Sequence, residues 1–147
     1  MDSKIISRAK PLKGEITVAA DKSISHRAVI FSALARGESI IQAEDIQSTC
    51  RCIKNLGVDI QERNSTLLIK GGGLQGLKEP DRVLDCGNSG TTIRLLTGVL
   101  SAQPFFSVLV GDHSLNQRPM RRVMEPMELM GAELQGRQGG NYPPLAI

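Results

Sequence analysis

A chain of 147 residues with a formal charge of +3 is long enough for a modest core, and its basic residues never cluster into a run. With one Tyr, three Phe and no Trp it offers few stacking platforms, which argues against nucleic-acid binding. No stretch of roughly 18 apolar residues is present, so no transmembrane helix is expected; the start lacks signal- or transit-peptide features, and a cytoplasmic protein is predicted.

In chain order, residues 5–7 read as a short strand, and residues 15–19 alternate as a strand should. A helix follows over 25–35, with Ser23 or Ser25 near its start and Gly37 as its stop. Residues 39–41 form a strand, and Asp45 is expected to cap a helix over 46–56 closed by Gly57. Residues 58–61 and 66–70 make a hairpin around Arg63-Asn64-Ser65, and Gly71-Gly72-Gly73 reads as a break. The series then restarts: a strand at 82–85, the turn Gly87-Asn88-Ser89-Gly90, a helix over 91–101, and a strand at 106–110. Pro119 suits the first turn of a helix over 119–130, distorted at Pro126, before strands from Leu134 and over 143–147. The last strand ends with the chain, a pattern expected of a segment of a longer protein.

Self-similarity supports this reading. Arg94 lies 67 positions after Arg27 and Asp112 lies 67 after Asp45, while Leu56-Gly57-Val58 resembles Met130-Gly131-Ala132. The expected fold class is α/β, with two repeated β-α-β-α-β-β units at 14–75 and 76–147. Cys50, Cys52 and Cys86 fit no zinc spacing and read as buried free thiols, with Cys50 and Cys52 pointing in different directions on their helix. His26 and His113 have no partners at metal spacing, and His26 reads as a structural group. Met120, Met124, Met127 and Met130 share helical spacing and read as core; Glu125 and Glu128 read as a solvated face.

The chemistry sits at helix starts. A helix amino terminus already carries about half a positive charge, yet Lys22 and Arg27 flank the first one, Arg94 follows Gly-Asn-Ser-Gly-Thr-Thr, and Arg118 precedes Pro119. Cations placed against that field call for an anionic ligand, a phosphate or carboxylate. No P-loop is present, and no acid/base pair is visible.

These same residues carry a family resemblance. Asp21-Lys22-Ser23-Ile24-Ser25-His26-Arg27, Gly87-Asn88-Ser89-Gly90-Thr91-Thr92-Ile93-Arg94, Gln117-Arg118-Pro119-Met120 and Asn141-Tyr142-Pro143-Pro144-Leu145 resemble the amino-terminal motifs of the EPSP synthases, the 3-phosphoshikimate 1-carboxyvinyltransferases of the shikimate pathway. The resemblance implies the inside-out enolpyruvyl transferase fold, helices inside and sheets outside, with two of three units of an incomplete amino-terminal domain. Residues 1–13 would then hold a strand of the second domain.

It also implies transfer of the enolpyruvyl group of phosphoenolpyruvate to the 5-hydroxyl of shikimate 3-phosphate, releasing phosphate, with no cofactor and no metal. Lys22 would contact both substrates and serve in proton transfer; Ser23 and Arg27 would hold shikimate 3-phosphate. Asn88, Gly90, Arg94 and Arg118 would line or support the phosphoenolpyruvate pocket. The family's acid/base carboxylates correspond to nothing in residues 1–147, so this segment alone is expected to be inactive, and the full enzyme monomeric. Gly90 resembles that of members sensitive to glyphosate, although Leu95 stands where many of those carry Pro. Two alternatives are a UDP-N-acetylglucosamine enolpyruvyl transferase, which normally carries Lys-Asn at the first motif, and a non-catalytic module binding phosphorylated metabolites.

Overall fold

The computed structural model describes residues 21–42, 46–64 and 66–147, and the elements expected at 5–7 and 15–19 and the cap at Asp45 lie outside them. The first helix, α1 (Lys22–Leu34), starts three residues earlier than its periodicity suggests. Its cap is neither serine but Asp21, whose carboxylate accepts the Ile24 N–H at 2.8 Å. An acidic cap satisfies an orphan donor and opposes the positive helix end, which lets Lys22 occupy the first helical position.

Strand β1 (Arg36–Gln42) leads to α2 (Gln47–Asn55), then β2 (Asp59–Arg63) and β3 (Thr66–Gly72). Antiparallel pairing orders this sheet β1-β3-β2. The second series runs β4 (Leu84–Asp85), α3 (Gly90–Leu100), β5 (Val108–Val110), α4 (Arg121–Leu129), β6 (Gln135–Gly136) and β7 (Tyr142–Ala146). Its sheet is ordered β4-β5-β7-β6, with β4 parallel to β5 and the rest antiparallel. The last three strands of each series thus share one arrangement: the first of them pairs with the third, and the second occupies the edge.

Alternation decides which face each strand buries. Leu67 and Ile69 of β3 are buried while Lys70 is exposed and lies within 4.0 Å of Glu38 and Asp59. Helix α1 packs on α2 and α3, α3 packs on α4, and the sheets lie against the outer sides of these helices. Val29, Ile53, Leu56, Ile93, Leu96, Leu109, Met120 and Leu145 fill the space between. The fold is therefore the expected α/β arrangement with helices inside.

Several local expectations are corrected. Gly71 and Gly72 are not a break; they complete β3, and Gly71 pairs with Gly37. Strand β5 begins at Val108, and Phe106 is left exposed. Helix α4 starts at Arg121 because the Met120 N–H donates to the Asn141 carbonyl at 2.8 Å, holding the Pro119-Met120 segment toward β7. Pro126 lies within the helix, and Met120 and Met124 are core as predicted, but Met130 is 80% exposed.

All three cysteines are free and buried. Burial, followed by the charge of Glu62, pushes the Cys50 thiol up to about 11. The adjoining Cys52 thiol and burial push Cys86 higher still. Such thiols are poor nucleophiles, as expected of packing cysteines. Among the described residues no group of three His, Cys, Asp or Glu side chains could hold a metal ion, and no helix is long and apolar enough to cross a membrane.

Candidate functional site

The amino-terminal ends of α1, α2 and α3 converge on a cavity of about 370 Å³. Lys22, Ser23 and His26 reach it from α1, and Gln47, Ser48 and Arg51 from α2. Asn88, Ser89, Gly90 and Thr91 form the third side, and Arg118 closes the fourth. Three cations face this space, and no carboxylate is among its described lining residues. A larger, mainly apolar hollow between Leu34, Leu77, Leu95 and Phe105 has no charged group among its described lining residues.

Two loops hold the Asn88 and Arg118 side chains in place. The Asp112 N–H donates to the Gly87 carbonyl at 2.9 Å, tying the two turns together. The Asp112 carboxylate accepts the Leu115 N–H at 2.7 Å and the Asn88 amide at 2.9 Å. Asn88 turns its oxygen to the Arg118 guanidinium, which donates to it at 2.8 Å. Asn116 closes the loop from within, exchanging bonds of 3.2 and 2.8 Å with the Gly111 backbone. The Leu115 N–H and then the Asn88 amide hold the Asp112 carboxyl below its ordinary range.

The sign of the resulting pH dependence follows. A depressed carboxyl contributes stability above its unfolded value, about pH 3.9, and loses it as pH falls through the folded value. Acidification below about pH 4 is therefore expected to release Leu115 and Asn88 first, and with them Arg118. Carboxyl and amide NMR signals recorded against pH check this. If Asp112 titrates like an unstructured aspartate, the clamp is refuted.

Gly90 allows two guanidinium groups to approach the third helix end. A methyl group there would stand 2.7 Å from the Arg94 Nη1 and 3.2 Å from the Arg118 Nη1. Arg94 does not line the cavity; it lies beneath it, with Nη1 donating to the Gly90 carbonyl at 3.4 Å. Its Nε is buried without a hydrogen-bond partner among the described residues. Burial pulls the Arg94 pKa down, and the charges of Arg122 and Arg118 add to the effect. This is a cation crowded by cations, which stores electrostatic cost unless an anion is near.

The structure therefore brings Lys22, Ser23, Asn88, Gly90 and Arg118 to one cavity, with Arg94 behind it. Arg27 stands apart from that lining: its Nη1 donates to the Ser23 carbonyl at 3.0 Å, so it meets the site through Ser23. Gln47, Ser48 and Arg51 were not singled out by the sequence. A signal for Arg51 did exist, since it occupies the fifth position of α2 as Arg94 does in α3.

The sequence pattern of EPSP synthase (3-phosphoshikimate 1-carboxyvinyltransferase) matches residues 6–147. The chain belongs to the EPSP synthase family. A 3-phosphoshikimate 1-carboxyvinyltransferase of Syntrophomonas wolfei is 62% identical over 98% of this chain and 35% of its own length. That of Thermodesulfovibrio yellowstonii is 51% identical over 99% of this chain and 35% of its own. The solved EPSP synthase from Acinetobacter baumannii superposes with a TM-score of 0.83 at 44% identity, covering 91% of this chain and 32% of that one. The chain thus spans about a third of the length of these EPSP synthase relatives.

Proposed function

We propose that this chain supplies the anion-binding part of an enolpyruvyl transferase, which moves the enolpyruvyl group of phosphoenolpyruvate to the 5-hydroxyl of shikimate 3-phosphate and releases phosphate. The observation that carries the reading is the cavity itself: three helix amino termini and the cations Lys22, Arg51 and Arg118 face one space, and no carboxylate is among its described lining residues. Phosphate and carboxylate groups are what helix amino termini and guanidinium groups bind. Lys22, Ser23 and Arg27 would hold shikimate 3-phosphate, Arg27 by bracing Ser23. Lys22, Asn88, Gly90, Arg94 and Arg118 would hold phosphoenolpyruvate, and Lys22 would also assist proton transfer. Clustered cations would stabilise charge in the tetrahedral intermediate.

The same reading makes residues 14–75 and 76–147 two copies of one unit, with residues 1–13 contributing to a second domain. The acid/base groups would come from the part of the relatives that this chain does not span, so it has no turnover alone. It would act in the cytoplasm on small anions, the full enzyme being a monomer. Titration of shikimate 3-phosphate into the chain, followed by backbone NMR, tests the reading. Shifts are expected at Lys22, Ser23, Asn88 and Gly90, and they should weaken as salt rises. Unmoved signals at these four positions, or a preference for UDP-N-acetylglucosamine, refute it.

A further inference from the structure

Behind the cavity lies a chain of buried polar groups drawn from all three converging helices. His26 is 2% exposed, and Thr49 and Thr92 are fully buried. The His26 Nδ1 is 2.6 Å from the Thr49 hydroxyl, which is 2.7 Å from the Thr92 hydroxyl. Thr92 donates to the Ser89 hydroxyl at 2.7 Å, and Ser89 lies 3.4 Å from the His26 Nε2. The Ser89 oxygen also accepts the Thr92 N–H at 3.1 Å, capping α3.

We propose that these four side chains form a closed hydrogen-bond ring that positions the amino termini of α1, α2 and α3 around the anion cavity; this rests on the cavity being the anion site. The direction is set by the Thr92 donation to Ser89. Thr92 must then accept from Thr49, and Thr49 from the His26 Nδ1–H. Ser89 completes the circuit by donating to Nε2. Around the ring every hydroxyl gives one proton and receives one, with Ser89 accepting the Thr92 N–H besides, and this direction requires a neutral imidazole with its proton on Nδ1. A buried polar network rigidifies its surroundings only when all its members are satisfied, and this ring meets that condition.

The consequence is specific to function. Ser89 and His26 line the cavity, whereas Thr49 and Thr92 do not. The two threonines act as positioning residues, fixing the side of α2 and the cap of α3 relative to Lys22 and Gly90. A threonine that only filled space would be replaced by valine with no effect on the ligand, since the two side chains have nearly the same shape.

The experiment uses the chain as it is, with inorganic phosphate and phosphoenolpyruvate as probes. In the wild type, nitrogen-detected imidazole spectra should show His26 neutral, with a slowly exchanging Nδ1–H. Thr49→Val should abolish that slow exchange and weaken phosphoenolpyruvate binding by roughly five- to tenfold, while Thr49→Ser restores both. Thr92→Ser serves as the second variant if Thr49→Val does not fold, and should keep the ring signal. An Nε2–H tautomer or an imidazolium in the wild type overturns the ring, as does a Thr49→Val chain with unchanged affinity. If the wild type binds neither probe, the anion reading fails, and the imidazole spectrum alone then decides for or against the ring.

Discussion

Arg118→Ala is expected to weaken phosphoenolpyruvate binding by about ten- to a hundredfold while the chain stays folded. A hydrogen bond to a charged group contributes about 1.5–3 kcal/mol, and each 1.4 kcal/mol is about a factor of ten in affinity. Arg118 is half-buried at the cavity edge, and its guanidinium is already oriented by Asn88 at 2.8 Å and lies 3.5 Å from the Ser114 hydroxyl. Little rotamer freedom remains to be lost on binding, which is why the effect should reach the upper part of the range. The planar group also fits a carboxylate or phosphate through paired donors, so Arg118→Lys should recover only part of the loss. Arg121→Ala is the control: its 3.8 Å contact with Glu125 joins two exposed side chains of α4, and such pairs contribute little. Calorimetric titration at fixed ionic strength measures all three. Equal affinities for Arg118→Ala and Arg121→Ala would show that charge near the cavity acts only at long range.

Much of this site is legible in the sequence because its physical cause is local. Lys22 opposes a field that the backbone of its own helix creates, and that opposition needs no tertiary information, whereas Arg118 reaches the cavity from the loop that precedes α4. The turn Gly87-Asn88-Ser89-Gly90 is equally local: the Gly87 N–H bonds to the Asp85 carboxylate at 2.8 Å and Ser89 caps α3. For Arg51 the sequence offers only its position, matching that of Arg94 in α3, and it takes the convergence of α2 with the other two helices to turn a helical arginine into a cavity cation. Arg27 lies one helical turn from Ser23 on α1, and its guanidinium donates to the Ser23 carbonyl at 3.0 Å, a local bond that helix spacing itself permits.

The fold shows a similar division. Alternation in β3 and the helical spacing of the apolar groups predicted the order of elements, since those periods follow from backbone geometry. Helix α4 begins later than Pro119 implies because a tertiary bond, from the Met120 N–H to the Asn141 carbonyl, holds Pro119 and Met120 toward β7. Arg137, unremarkable in the sequence, donates to the Pro143 carbonyl and, at 2.6 Å, to the Asn116 carbonyl, joining the clamp loop to β7. No periodicity announces such a contact.

Gly71→Ala is expected to destabilise the chain by about 3 kcal/mol or more, through overpacking against atoms that cannot yield. A methyl group on Gly71 would collide with the backbone carbonyl oxygens of Ser32 and Ala35 and stand 3.1 Å from that of Ala33. These carbonyls end α1, and the Ala35 oxygen is further fixed by the Gly73 N–H at 2.9 Å. Strand β3 therefore passes under the helix end at backbone contact distance, and moving it away would break its pairing with both β1 and β2. Gly98→Ala provides the contrast. In the last turn of α3 an added methyl group would meet, among the described residues, the Met127 sulfur alone at 3.9 Å, an ordinary contact. There the gain in helix propensity should stabilise by up to about 1 kcal/mol. Thermal unfolding should show a melting temperature lowered by roughly 10 °C for Gly71→Ala and raised by a few degrees for Gly98→Ala. A Gly71→Ala chain that melts with the wild type would mean that α1 and β3 are not in backbone contact, and the cavity at the other end of α1 would then lose the support that fixes Lys22.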